Sequence, residues 1–400
     1  MNYTCMGKIL LKFADKKNWL TASIIFVLFC IYYTIILYTR VSTDIQAHAF
    51  VSYSFVNENG PVTPNFLYFF LVAMFAGFSK YKFLYYASTT LLLAFALSLK
   101  YIVNVFYLNK IDEKNKLPKN KIIFLSVSLL FIFSLPGLDF FKNNFYYLGQ
   151  TPPNVWHNST VIFLSPFAII LFFEAYSLLT VVTKKKWLIV VFLIILNALI
   201  KPSFLFTIIP ALFVWVFFEK KERLSKSKLA IIFLCGIGLI IILLQYFLIY
   251  ILKKPSNDLS HSHSSSVSIE PFAVWKFYSS SIPIAAITSF FFPILSFILA
   301  GKILLKDNLV KFATINWLIG VLIFILFVET GASKYDGNFG WQMIIGNYLL
   351  FFILSVKFLL LSGSGEITSV KSKILYTTLL LHIVWGLIYF FKIIILKNYA

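Results

Sequence analysis

The chain has 400 residues, of which 60% are hydrophobic and only 12% charged, with a net charge of +20 and a mean hydropathy of +0.86. A soluble domain of that length cannot cover so much apolar surface with polar groups, so lipid is the expected solvent. The positive charge lies in short lysine runs between apolar stretches, a pattern that reports membrane topology rather than a nucleic-acid footprint. Cys5, Cys30 and Cys235 are scattered, which leaves no disulfide framework and no zinc spacing.

A membrane span needs roughly 20 apolar residues. In chain order the apolar segments are 19–39, 65–79, 84–107, 122–138, 161–182, 187–200, 203–218, 229–252, 279–300, 312–328, 342–361 and 375–396. The first is too long for a signal-peptide core and has no convincing cleavage site behind it, so it reads as a retained span. Basic loops fall at 1–18, 109–121 (five lysines), 184–186, 219–228, 301–311 and 371–373. Positive loops stay on the cytoplasmic side. If 65–79 and 84–107 both crossed, the five lysines of 109–121 would face outward, and so would every later basic loop. Making 65–79 an interfacial helix restores all of them at once. That segment is short, follows Pro64 and runs into Ser79-Lys80-Tyr81-Lys82, as suits a boundary helix. The expectation is an all-α polytopic membrane protein, a single membrane domain over 1–400. It has about eleven transmembrane helices and a short boundary helix in the first outer loop, with the N-terminus cytoplasmic and the C-terminus outside. No internal repeat is visible, and the Ser/His-rich patch at 260–266 reads as a flexible outer loop.

The outer loops are then 40–83, 137–160, 253–278 and 329–341, and they carry the polar strings expected to form an active face. Arg40 closes the first span. Ser42-Thr43-Asp44 reads as a helix start leading into 45–53, with Asp44 and His48 on one helical face. Asp44 is either a plain cap or a general base, with His48 orienting a phosphate or sugar. In the second string, Pro152 and Pro153 exclude helix until Ser159, which can cap the next span. Asn154, Trp156, His157 and Asn158 there suit sugar recognition, since rings stack on sugar faces and amides bond hydroxyls. Trp156 also reads as an interfacial anchor. Lys201-Pro202-Ser203 interrupts an apolar run of thirty-two residues. Its lysine either snorkels or meets a lipid phosphate at a helix N-terminus. The third string holds Glu329, Lys334, Asp336 and Asn338 among three glycines, and reads as a tight loop or as part of a binding face. Glu270 adds a further outer carboxylate beside Trp275 and Lys276. Glu174 is the intramembrane acid, functional by default or paired with a polar neighbour.

An Asp-bearing first outer loop followed by a boundary helix and a bundle of spans resembles the GT-C class of membrane glycosyltransferases. The strings Trp156-His157-Asn158-Ser159-Thr160 and Glu329-Thr330-Gly331 through Trp341 also look like those of bacterial surface-polysaccharide membrane proteins. The resemblance covers most of the chain in architecture and about four short strings in residues. It implies a polyprenyl-phosphate-linked sugar donor and a cell-surface glycan or lipid-linked acceptor. It also implies location in the plasma or inner membrane. By this resemblance Asp44 matches the catalytic carboxylate and Lys201 a carrier-phosphate contact, with Arg40 or His48 as further positive groups. The class admits a divalent metal, but this first loop carries one Asp rather than an Asp-Glu pair and no ligand spacing supports a metal site. No cofactor follows from the sequence. Two competing expectations are a surface-polysaccharide polymerase or ligase, which relies on outer arginines, and a flippase or transporter of lipid-linked sugar. Only Arg40 and Arg223 exist for the first, and Arg223 lies in a cytoplasmic loop. Glu174 alone reads as deeply intramembrane, against the second.

Overall fold

Long unbroken runs of Leu, Ile, Val and Phe have one way to satisfy their backbone in lipid, which is to coil into helices. A computed structural model describes residues 16–41, 43–60, 63–112, 116–137, 147–218, 226–251 and 266–397. Ser42, Arg223, Cys5 and most of the Ser/His-rich patch lie outside the described residues, as do parts of the outer loops 137–160 and 253–278.

The helices are α1 (Lys16–Tyr38), α2 (Asp44–Asn57), α3 (Leu67–Phe75), α4 (Lys82–Ile111), α5 (Lys119–Ser128), α6 (Tyr147–Gln150), α7 (Ser159–Thr180), α8 (Lys184–Ile200), α9 (Leu205–Phe218), α10 (Lys226–Tyr246), α11 (Ala273–Tyr278), α12 (Ile282–Ser289), α13 (Phe291–Leu304), α14 (Asn308–Leu326), α15 (Trp341–Gly363) and α16 (Ser369–Ile395). Among the described residues seven helical stretches are long and apolar enough to cross a membrane, or eight if the bent pair α12–α13 is one span. The chain is therefore a predominantly helical, multi-pass membrane protein. Strand among the described residues is confined to a two-stranded antiparallel sheet, β1 (Val267–Ile269) on β2 (Phe327–Glu329), pairing Val267 with Glu329.

The core is built on α4 and α15. α4 packs between α1 and α7, and α15 lies along α14 with most of its residues buried. Close approach of α14 and α15 depends on Gly320, where a Cβ would lie 2.9 Å from the Cα of Met343. Outward-facing Leu, Ile and Phe on α1, α10 and α16 remain exposed, as lipid contact requires.

The segment 65–79 forms only nine residues of helix, α3, which is too short to span, and α2 beside it has fourteen. The expected span 122–138 is corrected more sharply. Helix α5 stops at Ser128 after ten residues, and 132–137 continue as non-helical chain, buried except at Leu135 and Pro136, which are half-buried. Pro136 disfavours helix at Leu135 and removes a helical bond to Ile132. The freed groups are satisfied by other elements. Asn154 donates to the carbonyls of Leu129 and Ile132, Phe133 N–H to His382 O, and Leu135 N–H to Thr288 O. The expected span 279–300 is likewise broken at Phe290 with a bend of 67°, just ahead of Pro293.

The two ends of the bundle differ in chemistry. At one end meet the α1–α2 turn, the start of α7, the α8–α9 turn and the start of α15, through Asp44, Asn158, Thr160, Lys201 and Trp341. At the other, Lys110 lies 3.8 Å from Glu174, which also accepts from Tyr107, while Lys357 pairs with Asp307 and Lys186 reaches Ser177.

Candidate functional site

Asp44 enters the site because α1 ends in a tight reversal. Val41 N–H bonds Ile36 O and Arg40 N–H bonds Leu37 O, with Arg40 in the left-handed region at φ 53°. This is a Schellman stop with arginine where glycine is usual, so the turn is strained beside the site. Val41 and Ile36, the positions whose apolar side chains such a stop favours, are both buried. α2 then opens with Asp44, while Thr43 precedes it without a side-chain cap bond.

Opposite stands the start of α7. Asn158, rather than the expected Ser159, caps that helix by accepting from Val161 N–H. Three consecutive side chains there each engage a charged or titratable partner. Asn158 Nδ2 donates to Asp44 Oδ2 at 2.6 Å, Ser159 Oγ meets His48 Nδ1 at 3.0 Å, and Thr160 Oγ1 accepts from Lys201 Nζ at 3.3 Å. The rigid Pro152-Pro153 string delivers these residues, and all three are buried. The positive end of the 22-residue helix α7 thus faces the carboxylate.

Lys201 sits at the turn between α8 and α9, outside both helices, with its ammonium 5.3 Å from the ring centre of Trp341. Burial lowers its pKa to about 8, opposed by the charges of Asp44 and Glu329. Glu329 accepts from Asn338 Nδ2 at 2.6 Å, and Asn338 Oδ1 accepts from Trp341 Nε1 at 3.4 Å. A second acid is thereby tied to the same lysine. The carboxyl of Asp44 is raised above its ordinary value by burial. The Asn158 bond and Lys201 oppose that rise, and Asp336 adds to it.

His48 and His157 are both held near pKa 3, chiefly by burial. Each is therefore a neutral imidazole at physiological pH, which corrects the expectation of His48 as a positive group for phosphate. His157 lies against Trp341 with ring centroids 6.2 Å apart.

The structure gathers Asp44, His48, His157, Asn158, Lys201, Glu329, Asp336 and Asn338 around one end. Others among the expected residues go elsewhere. Asn154 spends its oxygen on Lys100 Nζ at 2.7 Å and its amide on two backbone carbonyls. Trp156 is 1% exposed, stacked on Phe133 with Phe390 at its edge, so it is core rather than an open sugar platform. Glu270 and Lys334 pair with each other at 2.7 Å on the exposed rim. Arg40 is exposed and forms no ion pair with another described residue. Glu174 belongs to the opposite end. Sequence reasoning missed Ser159 and Thr160 as partners, Trp341 as the face under Lys201, and Lys100. The consecutive Asn-Ser-Thr at a helix start was the available signal for the first two.

A cavity of about 510 Å³ lies between the loop before α3 and the facing parts of α8 and α10, lined by Pro64, Phe66, Leu199, Leu244 and Gln245 among others. Among the described residues no three His, Cys, Asp or Glu side chains come close enough together to hold a metal ion. No protein-family model matches the chain, and neither a curated protein nor a solved structure shows significant similarity to it.

Proposed function

We propose that this chain is a GT-C-type membrane glycosyltransferase. It moves a sugar from a polyprenyl-phosphate-linked donor to a cell-surface glycan or lipid-linked acceptor. The observation that carries the reading is the half-buried Asp44 carboxylate held beside the Lys201 ammonium by the start of α7. A base and a fixed cation at one site are what such a transfer needs. Asp44 takes the proton of the acceptor hydroxyl, whose oxygen bonds the anomeric carbon as the carbon–oxygen bond to phosphate breaks. The departing polyprenyl phosphate carries the negative charge that Lys201 meets, and Glu329 helps keep Lys201 protonated. The mostly apolar cavity that includes Leu199, two residues before Lys201, is the place assigned to the isoprenoid tail.

In this reading the protein lies in the plasma or inner membrane with the site outside and the lysine-rich end in the cytoplasm. Eleven crossings then connect a cytoplasmic N-terminus to an external C-terminus. The third crossing, α5 with 132–137, is half helix and half non-helical chain. Purified protein in lipid nanodiscs, given a polyprenyl-phosphate sugar and candidate acceptors, tests the proposal. Sugar transfer by the parent and its loss in Asp44→Asn supports it, and no transfer to any acceptor sinks it.

One observation favours a second reading, transport of a lipid-linked sugar. Lys100 is buried within α4, so Glu174 is not the sole intramembrane charge, and the helix break at Phe290 is of the kind that lines transport sites. Transbilayer movement of the donor in proteoliposomes without any transfer would favour this alternative.

A further inference from the structure

Lys100 lies inside the longest helix, α4, and is 4% exposed. An ammonium in that setting is costly unless something compensates it. Its nitrogen donates to Asn154 Oδ1 at 2.7 Å and sits 3.6 Å from the ring centre of Tyr348 on α15. Tyr348 is fixed in turn, its hydroxyl donating to Asn104 Oδ1 at 2.9 Å. Among the described residues no carboxylate pairs with Lys100. The cavity it lines measures about 20 Å³, room for one water and for no sugar or phosphate. Lys100 therefore acts through protein groups.

Asn154 is the group it acts through. Both amide hydrogens of Asn154 are committed to the carbonyls that α5 leaves behind at Leu129 and Ile132. Its oxygen is then the one acceptor left to fix the orientation of the amide, and Lys100 takes it. The same string is held upstream by Asn347 Nδ2 donating to Thr151 O at 3.1 Å. Four residues downstream of Asn154 is Asn158, the residue bonded to Asp44.

We infer that Lys100 is a positioning residue. Through Asn154 it clamps the broken 129–137 segment to the 151–158 string, and so sets where Asn158, Ser159 and Thr160 meet Asp44, His48 and Lys201. The catalytic consequence rests on the function proposed above, while the geometric claim does not.

The test uses cysteines placed by Asp44→Cys and Asn158→Cys in full-length protein lacking Cys5, Cys30 and Cys235. A short bifunctional thiol reagent bridges them. Lys100→Met is expected to remain monodisperse and to lower the bridging yield several-fold. Asn154→Asp keeps an acceptor for Lys100 but lacks the two amide hydrogens, and is expected to lower the yield likewise even if Lys100→Met does not fold. With Asp44 and Asn158 intact, each folded variant is expected to lose about tenfold or more in kcat, with the donor KM within about twofold, as misplacement rather than lost binding would do. A folded variant that bridges and turns over like the parent overturns the inference. If the parent shows no sugar transfer at all, the enzyme reading fails and the bridging yield alone decides this one.

Discussion

Asn158 reaches Asp44 across 114 positions of chain, Nδ2 to Oδ2 at 2.6 Å, while its own Oδ1 caps α7 through Val161 N–H. One amide thus performs a structural task with its oxygen and a site task with its nitrogen. The division follows from its place, because a cap residue must accept from the helix and its amide hydrogens remain free to point outward. Ser159 and Thr160 extend the pattern to His48 and Lys201. The start of α7 therefore organises the groups that α2 and the α8–α9 turn supply.

The two tasks of Asn158 separate by substitution. Asn158→Ala removes both and is expected to cost about 1 kcal/mol from the lost cap. Asn158→Ser keeps a capping oxygen and should retain most of that stability, yet it withdraws the amide from Asp44. Since that bond lowers the Asp44 pKa, both variants should move the acidic limb of the pH–rate profile upward. Thermal melts and pH profiles of the pair check this, and an unmoved limb in Asn158→Ser would show that the bond carries no electrostatic weight.

Topology gives a second prediction. The proposed topology sets α3, nine residues and too short to span, at the membrane boundary, and this keeps the 109–121 lysines in the cytoplasm. Lys110→Cys and Lys119→Cys should resist an impermeant thiol reagent added to intact cells and react after permeabilisation. Labelling of either from outside would place α3 across the bilayer.

The outline of this architecture was legible in the sequence because lipid leaves an apolar run few options. What local pattern could not show was where a run stops being helix. Residues 122–138 read as a span, but tertiary partners, Asn154, His382 and Thr288, stand ready to satisfy an extended backbone there. The same limit applied to the site. Asp44, His48, Asn158 and Lys201 stood out as polar groups at one end of the spans, and the structure brings them together. Trp156 and Asn154 stood out by the same criterion and turned inward, since their neighbours in space, Phe133 and Lys100, are distant or unremarkable in sequence. Residue type identified candidates, and packing alone separated the residues of that string that meet Asp44, His48 and Lys201 from those that pack into the core.

Lys201 carries a pH signature. With its pKa lowered to about 8, the ammonium persists below that value and is lost as pH rises through it. Transfer that needs the cation should therefore decline above about pH 8. Lys201→Arg, whose guanidinium stays charged, should remove that alkaline decline even if its absolute rate is lower. Lys201→Gln should weaken binding of polyprenyl-phosphate sugar without abolishing insertion. Wild-type donor affinity in Lys201→Gln would leave the lysine no role beyond filling its turn.

Asp44→Asn is the most demanding case, because activity and stability should move in opposite directions. Asparagine keeps the shape and can still accept from Asn158, but it cannot take a proton, so transfer should fall by about a hundredfold or more. The folded-state pKa of Asp44 is raised, so its stability contribution is fully present only below the unfolded carboxylate value and is lost as pH rises through the folded one. At neutral pH the ionised carboxylate is thus a net cost to the fold. Asp44→Asn should then melt above the parent at pH 7, and the gap should close on acidification through the carboxylate range. A variant that is slower and also less stable at pH 7 would indicate that Asp44 holds the site together rather than driving its chemistry, and undiminished turnover would end the assignment of Asp44 as the base.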